Sequence, residues 1–186
     1  MRKVIVSNFM TLDGFFAGPG GELNWFVWDD EMAEYVKAQF AEIDTLLFGR
    51  KTYQLMADYW PAAKPPEEDP VIIEAMNSLP KIVFSSTLNR AEWNNSRLVG
   101  GHIDEEVAGL KKRAGRDMVI FGSGTIVSAF TRSGLIDEYR IFVNPVVLGR
   151  GRSMFTGLER EHKLKLLGAR TFRCGNVLLR YTPDNG

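Results

Sequence analysis

Apolar positions recur along this chain in two rhythms that alternate from start to finish. Residues 3–9 are rich in β-branched and aromatic side chains and read as an opening strand. Gly18-Pro19-Gly20-Gly21 marks a loop, and residues 29–43 then switch to helical spacing through Met32, Tyr35, Val36, Gln39 and Phe40. A short apolar run at residues 45–48 is followed by a helix carrying Tyr53, Leu55 and Met56. Residues 60–70 are proline-rich and charged, which predicts a surface excursion, and residues 72–79 form a short helix.

The alternation continues with strands at 81–86, 97–99 and 118–121 and helices at 103–113 and 125–131. The last third is different. A long β-run covers 137–148, and two further strands, 163–173 and 176–181, flank Cys174-Gly175 as a hairpin. Strands alternating with helices predict an α/β fold with a mainly parallel central sheet and helices on both faces. The closing hairpin adds an antiparallel edge. The 186 residues fit one domain spanning 1–186.

Charge narrows the partners. Lys plus Arg is 23 and Asp plus Glu is 23, so no basic surplus points to nucleic acid or to an anionic membrane. One cysteine, Cys174, and two separated histidines, His102 and His162, exclude an internal disulfide and offer no ordinary structural zinc set; no metal is expected. The first apolar run is too short for a signal-peptide core, and no apolar segment reaches membrane-spanning length. A cytoplasmic location is the expectation.

Candidate chemistry sits where strands end, because open α/β sheets bind ligands beyond the carboxyl ends of their strands. Phe48-Gly49-Arg50-Lys51-Thr52 places two cations and a hydroxyl where a helix should start. A helix N-terminus carries positive dipole and unpaired N–H groups, so cations there suit an external anion such as phosphate. Phe84-Ser85-Ser86-Thr87 sets three hydroxyls after another strand, suited to phosphate or ribose but equally to a turn. Phe121-Gly122-Ser123-Gly124-Thr125 offers a tight turn whose N–H groups could face a pyrophosphate. It lacks the third glycine of a dinucleotide fingerprint, because Val127 stands there. Parallel topology would line all three along one rim, as an extended nucleotide cofactor requires.

The stretches MTLDGFFAGPGGELNW, LLFGRKTY, KIVFSS, VIFGSGTIV and GLIDEYRIFVNPVVLGRGRSMF, in that order, resemble the dihydrofolate reductase fold. They are most similar to the reductase half of the bifunctional riboflavin-biosynthesis deaminase-reductase, the 5-amino-6-(5-phosphoribosylamino)uracil reductase. The resemblance covers nearly the whole chain. It implies NADPH, with Arg50 and Ser86 on the adenosine 2′-phosphate. Lys51, Thr52, Gly122, Ser123, Gly124 and Thr125 would follow the pyrophosphate path, beside Gly49 and Ser85. It implies Asp30 as the group that manages a proton, with Asp29 beside it, and Asn8, Asp13 and Trp25 as substrate contacts. It also implies a homodimer.

Two departures matter. Folate enzymes place a hydroxyl on the long late strand to support the acid, and Phe142 stands at the matching position here, which weighs against dihydrofolate. The zinc deaminase half needs a His/Cys cluster that this chain lacks. The expected function is therefore NADPH-dependent reduction of a small pterin- or pyrimidine-like heterocycle. A non-catalytic NADPH-binding module and a flavin-dependent reductase on the same rim are the alternatives. Arg150 and Arg152 are candidate phosphate contacts or solvated turn residues.

Overall fold

Neighbouring residues of each central strand point into different cores. The computed structural model, which describes residues 1–184, runs β1 (Val4–Thr11), β2 (Phe15–Ala17), α1 (Asp30–Glu42), β3 (Ile43–Gly49) and α2 (Arg50–Tyr59). A 3-10 turn (Trp60–Ala62), α3 (Pro70–Ser78), β4 (Lys81–Phe84), β5 (Ser96–Val99), α4 (Ile103–Lys112), β6 (Asp117–Ile120) and α5 (Gly124–Arg132) follow. The chain closes with β7 (Glu138–Asn144), β8 (Arg152–Ser153), β9 (Leu164–Thr171) and β10 (Val177–Pro183).

Eight strands form one sheet in the order β5-β4-β3-β6-β1-β7-β10-β9. The first six are parallel to one another, and β7, β10 and β9 pair antiparallel. Val4, Val6 and Leu47 pack with Val107, Ile126 and Phe130 of α4 and α5 on one face. Ile5, Leu46 and Phe48 pack with Phe40, Tyr53 and Met76 of α1, α2 and α3 on the other. The period of two along each strand thus builds two helical layers, which is why these strands read as continuously apolar. A third cluster, Met32, Phe142, Phe172 and Leu178, seats the N-terminal half of α1 on the C-terminal strands.

The fold is α/β with a mainly parallel central sheet, helices on both faces and an antiparallel close, as the alternating pattern and the closing hairpin predict. Two details differ. The loop after the first strand contains β2, which pairs with β8 as a separate two-stranded piece. The late β-run stops at Asn144 and does not reach 148, because Pro145 has no N–H to extend the ladder. His162, expected from the sequence to be exposed, is half-buried, with its Nε2 buried and unpaired.

Buried charges are satisfied. Glu138, 2% exposed, accepts from Arg140 Nε at 2.9 Å and Arg180 Nε at 2.8 Å, and Arg140 reaches Glu42 of α1 at 2.7 Å. Burial pushes the Glu138 carboxyl up, but the hydrogen bonds and charges of Arg140 and Arg180 outweigh it and hold it below the usual range. Lys81, fully buried, donates to the carbonyls of Asn77, Leu79 and Asn94 at 2.8–3.1 Å and lies over the Trp93 ring. Among the described residues no helix is long and apolar enough to cross a membrane, and no group of three or more His, Cys, Asp or Glu side chains is placed to hold a metal ion.

Candidate active site

Three predicted ligand stretches leave the sheet from adjacent strands, because β3 lies between β4 and β6. Gly49 pairs in register with Phe84, so Arg50 and Ser85 emerge side by side. On the other flank β3 pairs with β6 up to Leu47 and Ile120. The rim is therefore continuous from Ser85 to Gly124.

Its centre is tight. Gly49 N–H donates to Ser123 Oγ at 2.9 Å, and a Cβ at Gly49 would collide with that oxygen. Gly122 adopts φ +72°, which favours glycine, and a Cβ there would lie 3.0 Å from Thr52 Cγ2. Gly122 N–H donates to Asn8 Oδ1 at 2.6 Å, and Asn8 Nδ2 meets Met154 Sδ at 2.9 Å. Asn8 is 3% exposed and its polar atoms are engaged in holding this turn. Gly49, Thr52, Gly122, Ser123 and Asn8 are thus brought together, while Arg50 and Lys51 point outward.

The two helix starts on this rim differ. Phe16, carried by the β2–β8 pair, presses against Gly124, and Met154 O lies beside it, so the opening turn of α5 is covered while Thr125 stays exposed. The opening turn of α2 is uncovered. No side chain caps it, no carboxylate lies in its first turn, and neither Arg50 nor Lys51 forms a hydrogen bond or ion pair among the described residues. A helix start of that kind carries positive charge that the described residues leave uncompensated. Ser85 Oγ accepts from Thr87 N and Leu88 N at 3.2 and 2.9 Å and so shapes the turn after β4; Ser86 is exposed.

One rim element escaped the sequence reading. Phe84 pairs with Val99, so Gly100-Gly101-His102 ends a fourth strand beside Ser85, with His102 in the left-handed region at φ +51°. The doubled glycine after residue 99 was the available signal.

The flank around the start of α1 is built on other terms. Asp29 caps α1, accepting from Met32 N at 2.8 Å and from Cys174 N at 2.7 Å. The Met32 bond is the main reason its carboxyl sits below the usual range. Asp30 is exposed in the first turn and its carboxylate has no partner among the described residues. Glu31 takes Arg170 at 2.8 Å and Arg173 at 3.8 Å. Asp13 accepts from Thr11 Oγ1 at 2.6 Å and from Gly149 N at 2.7 Å, tying the loop after β7 to the end of β1. Arg152 donates to Pro19 O at 3.2 Å.

Aromatic rings line this flank. Phe9 stacks on Phe142 at 4.9 Å and meets Phe26 at 4.6 Å, so the position where folate enzymes carry a hydroxyl is a packed ring. Trp25 is 9% exposed and stands edge-on behind Phe26, its Nε1 donating to Glu22 O. A ligand on this flank meets Phe26 and Trp28 before it meets Trp25. The backbone of Val27, between those two, is gripped on both sides: Asn144 Oδ1 accepts its N–H at 3.0 Å and Asn176 Nδ2 donates to its C=O at 2.7 Å. Both asparagines are fully buried. Nothing in the sequence hinted at this clamp, since Asn176 reads as the first residue of a hairpin strand.

Comparison with known proteins agrees with this fold. The model of the RibD C-terminal domain family matches residues 2–178. The Bacillus subtilis (strain 168) uncharacterized protein YyaP is 35% identical over 182 residues, covering 97% of this chain and 94% of that protein. The riboflavin biosynthesis protein RibD of Corynebacterium ammoniagenes is 29% identical over 151 residues, 77% of this chain but 43% of that longer protein. Dihydrofolate reductase from Enterococcus faecalis, complexed with NADP(H) and RAB-propyl, shares the fold with a TM-score of 0.64 at 15% identity, covering 98% of this chain and 97% of that one.

Proposed function

The chain belongs to the RibD C-terminal domain family, and on that premise we propose that it is an NADPH-dependent reductase of a small heterocycle. The observation that carries the reading is the opening turn of α2, where Arg50 and Lys51 stand exposed with no acid in the turn and no partner among the described residues. Unpaired cations on an uncapped helix start fit a phosphorylated cofactor, and the residues of the rim fit NADPH. Arg50 and the exposed Ser86, which leave adjacent paired strands, would take the 2′-phosphate, the guanidinium matching its oxygens two at a time. Lys51, Thr52 and Thr125 would follow the pyrophosphate, over a turn made rigid by the Gly49–Ser123 and Asn8–Gly122 bonds.

When bound, the cofactor supplies a hydride to an electrophilic C=N or C=O carbon. This chain's part is to hold the acceptor in contact, exclude water and deliver the balancing proton. Asp29 is occupied as the cap of α1, whereas Asp30 is exposed one residue on, which supports Asp30 as the group that passes a proton from solvent.

Calorimetric titration with NADPH and NADH, on the native protein and on Arg50→Ala, tests the reading. Roughly tenfold preference for NADPH, about 1.4 kcal/mol, should collapse in the variant while its folding stability stays within about 0.5 kcal/mol. Equal affinity for both cofactors in the native protein, or no binding of either, would sink the proposal.

A further inference from the structure

At the sheet edge opposite the rim, the amino ends of β3, β4 and β5 open into a cavity of about 480 Å³. Gly49 lies roughly 16 Å further along β3 than Asp44, at about 3.3 Å per residue, so this cavity is separate from the rim proposed for the cofactor. Four cations line it, Arg2, Lys81, Arg97 and Arg113, against one carboxylate, Asp44. The rest of the wall is largely apolar, with Leu79, Pro80 and Leu110.

The carboxylate is already saturated. Asp44 Oδ1 pairs with Arg2 and accepts from Thr45 Oγ1 at 2.8 Å, and its Oδ2 accepts from Arg116 N at 2.7 Å. Arg2 is 9% exposed and held by that pair, by Thr45 Oγ1 at 2.8 Å and by Arg116 O at 2.5 Å, yet its Nη1 has no partner among the described residues. Burial pushes the Lys81 ammonium down to about 8, with no carboxylate offsetting it. Arg97 gives one nitrogen to Glu106, and the exposed Arg113 has no side-chain partner among the described residues. The carboxyl ends of α3 and α4 face this edge and supply roughly half a negative charge each. Set against four cations, those helix ends and the carboxylates of Asp44 and Glu106 leave about one positive charge unanswered.

We propose that this cavity binds a small organic anion, a carboxylate or phosphate head on a short apolar body, with the head met by Arg113 and the free Nη1 of Arg2 and the body laid against Leu79 and Leu110. A guanidinium presents paired N–H groups that match either head two oxygens at a time, and Arg2 is already fixed, so little ordering is lost on binding. This site lies outside the reductase reading and does not depend on it.

Amide NMR titrations of the full chain with benzoate, phenyl phosphate, inorganic phosphate and benzyl alcohol test the assignment. Benzoate or phenyl phosphate should saturably shift the signals around residues 79–82, 95–97 and 110–113, and the tighter of the two names the head. Inorganic phosphate and benzyl alcohol should bind at least roughly fivefold more weakly. Arg113→Ala should weaken the organic anion roughly fivefold without moving the melting temperature, and Arg113→Lys should restore part of the loss. Arg50→Ala should leave the titration unchanged, which keeps this result apart from the fate of the reductase reading. Shifts confined to residues 49–52, indifference to Arg113→Ala, inorganic phosphate matching both organic anions, or no saturation by about 10 mM would each overturn the proposal.

Discussion

The opening of α2 and the opening of α1 are both helix starts at the carboxyl edge of the same sheet, yet they are finished in opposite ways. At α2 the cap is a bare glycine, no side chain caps the helix, and the first turn carries two cations without a partner among the described residues. At α1 an aspartate caps the helix, the next carboxylates follow, and hairpin residues Cys174, Arg170 and Arg173 close the circuit. One start is completed by the chain itself and the other is not. Polar groups fully paired within the fold, as at α1, serve as scaffolding, whereas the charges at the start of α2 are not engaged by the described residues.

The sharpest way to break this contrast is to unpair the scaffold. Glu138→Ala would strand Arg140 and Arg180 around a buried position, and it should cost about 3–5 kcal/mol in urea denaturation, with NADPH affinity of the folded fraction unchanged. A cost no larger than that of a surface substitution would show that the network is not structural. Next, Asn144→Ala removes the acceptor for a buried N–H and should cost about 1–3 kcal/mol. Hydrogen exchange should then rise at residues 25–30 and remain unaltered at 49–52. Uniform loss of protection across both segments would deny that the clamp is local.

Acid gives the smallest and most selective effect. Glu138, Glu31 and Asp29 all have folded values below the reference carboxylate values of 4.5, 4.5 and 3.8. Lowered carboxylates contribute stability that is present above the unfolded values and is lost as pH falls through the folded ones. Asp29 and Glu31 lie at the head of α1 against the hairpin, Glu138 at the start of β7 is tied through Arg140 to Glu42 at the far end of α1, and the first turns of α2 and α5 carry no carboxylate. Stability should therefore decline as pH drops below the mid-4 range, Glu138→Gln should flatten that decline, and exchange protection should fail first around residues 27–31. Failure beginning at the α2 rim would contradict the assignment.

Much of the rim of strand ends proposed for the cofactor was legible because its signals are local. A strand followed by glycine and cations states its own topology once the parallel sheet is inferred, and Gly49, Arg50, Lys51 and Thr52 lie where that inference puts them. The hydroxyl row was less legible: Ser85 turns out to organise its own turn, which its sequence context allows equally well. On the substrate flank, the roles of Asn8, Asp13 and Trp25 depend on partners more than 100 residues away in the first two cases, Gly122 and Gly149, and on packing behind Phe26 in the third. Such partnerships have no period and no fixed spacing.

By itself, then, the sequence determined the alternation of strands and helices, the antiparallel close, the adjacency of phosphate-suited strand ends and the absence of a charge surplus. These follow from side-chain periodicity and turn chemistry, which act over a few residues. Only the tertiary structure decided which polar groups would be used up and which left free. It covered the start of α5 with Phe16 and left that of α2 open, it made Asp29 a cap and Asp30 free, and it closed Asn144 and Asn176 on Val27. Whether a donor or a charge is available to a ligand depends on what the folded chain brings within hydrogen-bond distance of it, and that is a property of three-dimensional packing.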